Sequence, residues 1–261
     1  MGSSSGEGQV AIVTGAAQGI GKAVAKELAN QHIKVAMVDQ NARLLYSTAK
    51  AFQNEGLLVS AFPADVSKSS SVDHVLDQIQ AELSAPDILV NVAGVLETGP
   101  VAFFSDEDWK RVFDVNTHGV FYVSRAVARL MIPRKSGVII TVGSNAAAMP
   151  RMNMSAYAAS KAAAVHFTKC LGLELAQHGI RCNVVSPGST DTAMQRHMWT
   201  EDLTVDSILS GSLESYRLGI PLGKLGEAED VAQAVSFLVS DRAKQITMCD
   251  LRVDGGATLG V

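Results

Sequence analysis

The chain has 261 residues, of which 47% are hydrophobic and 18% are charged, with a formal net charge of −4. This composition supplies enough apolar side chains for one sizeable core and excludes a largely disordered chain. A slightly acidic chain with interspersed charges has no basic face for nucleic acid, and no apolar run approaches the roughly 20 residues of a membrane span.

The N-terminus and the cysteines indicate a simple organisation. Residues 1–8 are rich in glycine and serine without the parts of a signal peptide, which predicts a flexible leader before a single domain over residues 9–261. The cysteines at positions 170, 182 and 249 have neither metal-binding nor redox spacing. We therefore expect a cytoplasmic protein with no metal site.

Short β-branched segments alternate with longer helical ones along the chain. Strands are predicted at 10–13, 34–38, 58–62, 88–91, 137–142, 181–186 and 250–253. Helices are predicted at 20–31, 42–54, 70–83, 108–133, 155–178 and 227–240. Because the strands are mostly apolar and follow a β-α-β order, we expect an α/β fold: a doubly wound, parallel Rossmann sheet of about seven strands with helices on both faces.

Residues 188–220 match no element of this sheet. The segment is polar, contains methionine, and carries tryptophan- or tyrosine-bearing turns. It follows the sixth strand and therefore lies at the carboxyl edge of the sheet, where ligands bind in such folds. We interpret it as a lid over the substrate.

A glycine-rich turn joins the first strand to the first helix, with Gly15, Gln18, Gly19, Ile20 and Gly21 as its candidate binding residues. Its glycines permit a tight turn and close approach of a pyrophosphate, which would sit on the helix N-terminus. The spacing Gly-x3-Gly-x-Gly differs from the common Gly-x-Gly-x2-Gly, and an ordinary tight loop is the alternative. The strand before it and the helix after it favour dinucleotide binding.

Asp39 selects between the two nicotinamide cofactors. It ends the second strand 18 residues past Gly21, near the spacing of about 20 for a carboxylate that binds the adenosine ribose. A 2′-phosphate there would face a like charge, at a cost of up to about 4 kcal/mol at 4 Å. Neither Gln18 nor Gln40 offers a cation, and a helix-surface position accounts for Arg43. The cofactor is predicted to be NAD and not NADP.

Tyr157 and Lys161 lie four residues apart at the start of a helix and so share one face. The ordinary pKa of tyrosine, about 10, makes it a poor base, but a neighbouring ammonium, helped by the nicotinium charge, would favour the phenolate. Ser144, after the fifth strand, could hold a substrate oxygen, and Asn116 could position a water against Lys161. The alternatives are that Tyr157 and Lys161 are an ordinary surface pair and that Ser144 is a turn residue. Together with the glycine-rich turn, these residues predict hydride transfer.

Several motifs together resemble the short-chain dehydrogenase/reductase family over essentially the whole chain: residues 14–21, Asn91-Val92-Ala93-Gly94, Ser144, Tyr157-Ala158-Ala159-Ser160-Lys161 and Pro187-Gly188. The resemblance implies a catalytic tetrad of Asn116, Ser144, Tyr157 and Lys161. It places Asp65 and Val66 at the adenine, Asn91 behind the cofactor and Thr192 near the carboxamide, with Gly94, Tyr157, Lys161 and Pro187 also in contact. Val92 departs from the family, which usually has a second asparagine there.

Further segments narrow the resemblance to family members that oxidise a cyclic dihydrodiol carboxylate in catecholate siderophore biosynthesis. They are Pro150-Arg151, residues 154–157, residues 181–192, Met194-Gln195, residues 218–222 and residues 253–260. This resemblance implies oxidation of the C3 alcohol to a ketone, followed by tautomerisation to a catechol. Aromatisation would draw the reaction toward oxidation.

A carboxylate substrate needs a cation or backbone donors in its pocket. Arg151 lies six residues before Tyr157, on the loop into the catalytic helix, where it either contacts the carboxylate or is a solvated loop arginine. Met194 and Gln195 open the lid and could pack on the ring and hydrogen-bond its substituents. It is equally open that Met194 packs in the core of the lid and that Gln195 is a surface amide.

The helix at 155–178 is small or apolar nearly all round, which indicates a second buried surface besides the sheet. Another copy of the chain is the expected partner, and the resemblance implies a homotetramer.

Two alternatives stay open. One is another short-chain alcohol or sugar dehydrogenase, or a 3-oxoacyl reductase, although Asp39 disfavours the reductase because biosynthetic reductases commonly use NADPH. The other is a non-catalytic NAD-binding scaffold, which would have no reason to keep Tyr157, Lys161 and Ser144 together.

Overall fold

A computed structural model describes residues 8–196 and 204–260. The predicted leader therefore lies almost wholly outside the described residues, as does the middle of the predicted lid. None of the described helices is long and apolar enough to cross a membrane.

Seven parallel strands form the central sheet, in the order β3-β2-β1-β4-β5-β6-β9. Their bounds are β1 Val10–Thr14, β2 Lys34–Asp39, β3 Val59–Pro63, β4 Ile88–Asn91, β5 Gly137–Val142, β6 Ile180–Pro187 and β9 Asp250–Val253. Each lies within one residue of its predicted limits. The strand order reverses between β1 and β4, so a crevice opens at their carboxyl ends.

Nine α-helices lie within the described residues. They are α1 Gly19–Asn30, α2 Ala42–Asn54, α3 Ser69–Glu82, α4 Asp106–Phe113, α5 Val120–Met131, α6 Ser155–Leu175, α7 Ala193–Arg196, α8 Val205–Ser210 and α9 Ala228–Val239. The prediction of one continuous helix over 108–133 is wrong. A π-helical turn, Asp114–Gly119, separates α4 from α5, and periodicity alone does not reveal such an interruption.

Successive strand residues point into two separate cores, as expected for a sheet covered on both faces. Ala11 and Val13 belong to the cluster under α1, α2 and α9. Ile12, between them, belongs to the opposite cluster under α3, α5 and the end of α6. This alternation confirms the doubly wound sheet and fixes the strand ends as a rigid base for the loops above them.

In its described part, the segment at 188–220 adds no strand to the main sheet. It contains α7, α8 and a short antiparallel hairpin of β7 Gly211–Ser212 and β8 Arg217–Leu218. Ile208, Ile220 and Ala257 form a small core of their own beneath it. The hairpin is thereby anchored over the carboxyl edge of the sheet.

Candidate active site

A cavity of about 850 Å³ lies above the carboxyl ends of the strands. Most of the predicted site residues line it: Gly15, Gln18, Gly19, Ile20, Gly21, Asp39, Asp65, Val66, Gly94, Ser144, Arg151, Tyr157, Lys161, Pro187, Thr192, Met194 and Gln195. Asn91 and Asn116 do not. The cavity therefore brings together the glycine-rich turn, the tyrosine and the lid.

The turn after β1 is built for close approach of a ligand. Gly15 has φ +66°, and a Cβ on it would stand 2.8 Å from the Ala93 Cα. A Cβ on Gly21 would overlap the carbonyl oxygen of Gly15. Gln18 precedes α1 without capping it through its side chain, so the first N–H groups of this helix are left for an anion. These features fit a dinucleotide pyrophosphate.

Asp39 is held rigidly at the edge of this turn. Its Oδ2 accepts a hydrogen bond from the Ala17 backbone N–H at 3.1 Å, and its Oδ1 accepts one from the Asn41 N–H at 2.9 Å. Both donors fix the carboxylate where the second strand ends. The arrangement leaves a negative charge facing the cavity beside the glycine-rich turn.

Asp65 is also anchored by its neighbours. Its Oδ1 accepts hydrogen bonds from the Ser67 N–H at 3.0 Å and the Ser67 hydroxyl at 2.6 Å, while Lys68 lies 3.2 Å away. Partial burial raises the pKa of this carboxyl, but the bonds from Ser67 and Lys68 outweigh burial and lower it. Asp65 therefore stays ionised on the cavity wall, next to Val66.

Asn91 supports the cavity from behind. Its Nδ2 donates to the Ser124 hydroxyl at 2.9 Å, and the side chain is buried. Thr14, which the sequence analysis missed, accepts hydrogen bonds from the N–H groups of Val92 and Ala93 at 3.0 and 3.1 Å. A buried threonine at the end of an apolar strand was the available signal. Together these bonds fix the loop that follows β4.

Asn116 lies in the π-helical turn and is fully buried. Its Oδ1 accepts from the Val95 N–H at 2.8 Å, and its Nδ2 donates to the Val95 carbonyl at 2.9 Å and to the Ser160 hydroxyl at 3.0 Å. The side chain thus clamps a cavity-lining residue to α6. The prediction that Asn116 positions a water against Lys161 remains a prediction.

Lys161 is buried, and its Nζ donates to the Val142 carbonyl at 2.9 Å, 5.9 Å from the centre of the Tyr157 ring. Burial lowers the pKa of Lys161 to about 8. Burial likewise raises the pKa of Tyr157, opposed by a hydrogen bond with Ser144. Desolvation therefore dominates the pKa of Tyr157, and the Lys161 ammonium is bonded to a backbone carbonyl. That the ammonium, helped by the nicotinium charge, favours the phenolate stays a prediction.

The substrate end of the cavity contains a cation that sequence reasoning missed. Arg217 of β8 lines the cavity with Arg151, and its Nη2 donates to the Ser189 hydroxyl at 2.8 Å. It was missed because a hairpin far along the chain brings it there. Met194 is 40% exposed, whereas Gln195 is only 9% exposed.

The short chain dehydrogenase family model matches residues 9–203. This match covers more than half of the chain, and the chain belongs to that family of oxidoreductases. The match agrees with the parallel sheet, the glycine-rich turn and the Tyr157–Lys161 pair.

Individual relatives agree with this assignment. The chain is 54% identical to 2,3-dihydro-2,3-dihydroxybenzoate dehydrogenase of Bacillus subtilis over 98% of each chain. It is 42% identical to the Escherichia coli enzyme of that name, over 95% of this chain and 96% of the relative. A solved 3-ketoacyl-(acyl-carrier-protein) reductase from Brucella melitensis, complexed with NADH, superposes with a TM-score of 0.86 at 31% identity, covering 97% and 99% of the chains. The cofactor class is a nicotinamide dinucleotide.

Proposed function

We propose that this chain oxidises 2,3-dihydro-2,3-dihydroxybenzoate to 2,3-dihydroxybenzoate with NAD, as a step of catecholate siderophore biosynthesis. The observation that carries the proposal is one cavity lined by Tyr157, Ser144 and the cationic Arg151. An alcohol-oxidising pair beside a cation suits a substrate that is both a secondary alcohol and a carboxylate. Relatives at 54% and 42% identity bear the name of this activity.

The cofactor would be held by the turn from Gly15 to Gly21, whose helix N-terminus suits a pyrophosphate. Asp39 would bind the adenosine ribose and disfavour a 2′-phosphate, which supports NAD over NADP. Asp65 and Val66 would contact the adenine, while Thr192, Pro187 and Gly94 would surround the nicotinamide half. When bound, this group accepts the hydride that leaves C3 of the substrate.

The chain's own residues handle the proton. The Ser144 hydroxyl would donate to the C3 oxygen and orient it, and the Tyr157 phenolate would take the proton of the C3 hydroxyl. The buried Lys161 would hold the ribose and supply positive charge near the phenolate. The ketone has the same atoms as the catechol, so a proton needs only to move from C2 to the C3 oxygen for aromatisation.

Asn116 has a supporting place in this scheme. Its bonds to Val95 and Ser160 keep the loop after β4 and the catalytic helix α6 at a fixed separation. A catalytic tyrosine loses much of its efficiency when misplaced by an ångström. The clamp therefore supports the assignment of Asn116, Ser144, Tyr157 and Lys161 as a tetrad that acts on one reaction.

We further propose a homotetramer in the cytoplasm. Three apolar side chains on α4, α5 and α6 are exposed in the single chain: Trp109, Phe121 and Leu173. Apolar residues on neighbouring helices suit burial against another copy. The free cysteines Cys170, Cys182 and Cys249 suit a reducing compartment.

Purified protein incubated with NAD and the dihydrodiol acid tests the proposal. We expect NADH and 2,3-dihydroxybenzoate to appear in equal amounts. NADH formed with 3-hydroxyacyl thioesters or sugars, and not with the acid, would instead favour another member of the family. No NADH from any alcohol, with NAD bound, would favour a non-catalytic scaffold.

A further inference from the structure

Two arginines from separate elements meet at the substrate end of the cavity. Arg151 lies on the loop before α6, and Arg217 lies on the β7–β8 hairpin of the lid; both line the cavity and both are half-buried. Within the described ranges 8–196 and 204–260, the Arg151 side chain makes no hydrogen bond or ion pair, and the one bond of the Arg217 side chain is to the Ser189 hydroxyl at 2.8 Å. Among these described residues, neither guanidinium has a carboxylate within ion-pair distance.

The carboxylate that acts on Arg151 is hydrogen-bonded to other residues. Asp254 attracts Arg151 electrostatically, but its carboxylate accepts from the Thr258 hydroxyl at 2.7 Å and the Gly256 N–H at 3.0 Å. Burial lowers the pKa of Arg217, and the neighbouring Arg151 lowers it further. Two partly desolvated cations that repel each other are costly unless an anion joins them.

A third polar group, the side-chain amide of Gln195, lines the same cavity. Gln195 is 91% buried, being 9% exposed, and its Nε2 has no hydrogen-bond acceptor among the described residues. An unsatisfied buried donor in a native chain needs an explanation, and a ligand is one. Two guanidiniums and an amide N–H make a donor set that suits a carboxylate and an adjacent hydroxyl.

We propose that Arg217 is a second carboxylate-binding residue, so that the substrate's carboxylate lies between Arg151 of the body and Arg217 of the lid. The identity of the acid rests on the proposed function. The Ser189 hydroxyl positions the Arg217 guanidinium, and the hairpin register, with Ser212 paired to Arg217, carries it over the cavity. Bound acid would thereby connect the lid to the catalytic loop.

The test measures binding of the product, 2,3-dihydroxybenzoate, by calorimetry, and kcat/KM for the dihydrodiol acid. Because a charge-assisted hydrogen bond is involved, we expect Arg217→Ala to weaken product binding by about 10- to 150-fold and to raise KM for the acid similarly. Arg217→Lys keeps the charge but not the planar guanidinium with its paired donors, so it should lose less affinity for the product than Arg217→Ala. The matched control is Arg242→Ala, since Arg242 is an exposed arginine that does not line the cavity.

Two comparisons separate recognition from damage to the fold. An uncharged cyclohexenediol should be oxidised equally by wild type and Arg217→Ala, whereas a folding defect would slow both substrates. The Arg151→Ala, Arg217→Ala double variant should lose less affinity than the two single losses combined, because both residues share one carboxylate. Product binding unchanged in Arg217→Ala, or equal losses on acid and diol, would overturn the assignment.

Binding of benzoate and benzamide distinguishes this inference from the proposed function. If wild type oxidises no dihydrodiol acid yet binds benzoate well above benzamide, and Arg217→Ala removes that preference, the proposed reaction fails while the carboxylate site stands. If wild type oxidises the acid, but Arg217→Ala changes neither the preference for benzoate over benzamide nor the binding of the product, only the proposed carboxylate site is wrong.

Discussion

Lys161 and Val142 are joined by a 2.9 Å hydrogen bond, in which the buried ammonium donates to the carbonyl of the last residue of β5. The bond fixes the lysine on the cavity wall, with its Nζ 5.9 Å from the centre of the Tyr157 ring. Burial without a countercharge lowers the pKa of Lys161 to about 8. The site therefore contains a cation that folding disfavours.

The lowered pKa of the buried Lys161 predicts that the stability of the fold depends on pH. Between pH 8 and 10.5 the unfolded chain keeps the Lys161 proton while the folded chain releases it, so stability rises with pH across this window. The free energy of unfolding of wild type relative to Lys161→Met should therefore increase by up to about 3 kcal/mol from pH 7.5 to pH 10.5, from about 1.36 kcal/mol per pKa unit. Urea unfolding of both proteins at several pH values measures it; a difference independent of pH would contradict the lowered pKa.

Tyr157→Phe should abolish turnover of the dihydrodiol acid while leaving NADH binding nearly unchanged, because only the phenol oxygen is removed. Lys161→Ala should weaken both, since this lysine is also expected to bond the nicotinamide ribose. Steady-state assays and NADH fluorescence titration distinguish the two variants. Substantial activity in Tyr157→Phe would show that another group takes the proton.

Oxidation by wild type should become faster as pH rises. Burial raises the pKa of Tyr157, so the phenolate is scarce at neutral pH and its fraction grows with pH. We expect kcat/KM for the acid to climb between pH 6 and pH 8, before the Lys161 ammonium begins to be lost near its pKa of about 8. A profile that falls over this range would rule out a tyrosine base.

Asp39→Ala should narrow the preference for NAD over NADP. The carboxylate, fixed by the N–H groups of Ala17 and Asn41, would repel a 2′-phosphate, and alanine removes that charge. The ratio of kcat/KM for the two cofactors measures the effect, with Asp65→Ala as a control because it removes a different cavity-wall carboxylate. Wild-type use of NADP equal to that of NAD would contradict the assignment.

Arg151→Ala should lower kcat/KM for the acid by roughly 10- to 150-fold, the value of a charge-assisted hydrogen bond. If the carboxylate is held equally in ground and transition states, the change falls mostly on KM. The uncharged diol should be hardly affected. An unaltered KM for the acid would show that Arg151 does not bind the carboxylate.

The sequence was sufficient for the sheet and for bringing the glycine-rich turn and Asp39 together in one cavity. The strands are short apolar segments between turns, and the glycine-rich turn with Asp39 follows strand ends, so local pattern fixes both. The pattern did not reveal the break between α4 and α5, because the π-helical turn shifts the helical phase by only one residue and both sides remain helical. The position of Arg217 could not be predicted from the sequence, because it depends on how the hairpin packs at Ile208 and Ile220.

The tyrosine's pKa could not be read from spacing either. Tyr157 and Lys161 share a helix face as predicted, yet their protonation depends on how deeply the fold buries them and on the Val142 carbonyl. Those quantities arise from tertiary packing. Residue type and spacing identified the groups, and three-dimensional burial set their chemistry.

The π-helical turn at Asp114–Gly119 links the clamp of Asn116 to the phase of the surrounding helix. Such a turn holds about one residue more than a turn of regular α-helix. Removal of one residue from this turn would let α4 and α5 merge, rotate everything upstream by about 100° and swing Asn116 off Val95. One extra residue in a helix therefore sets the direction of the Asn116 amide, and through it the position of the loop at Val95.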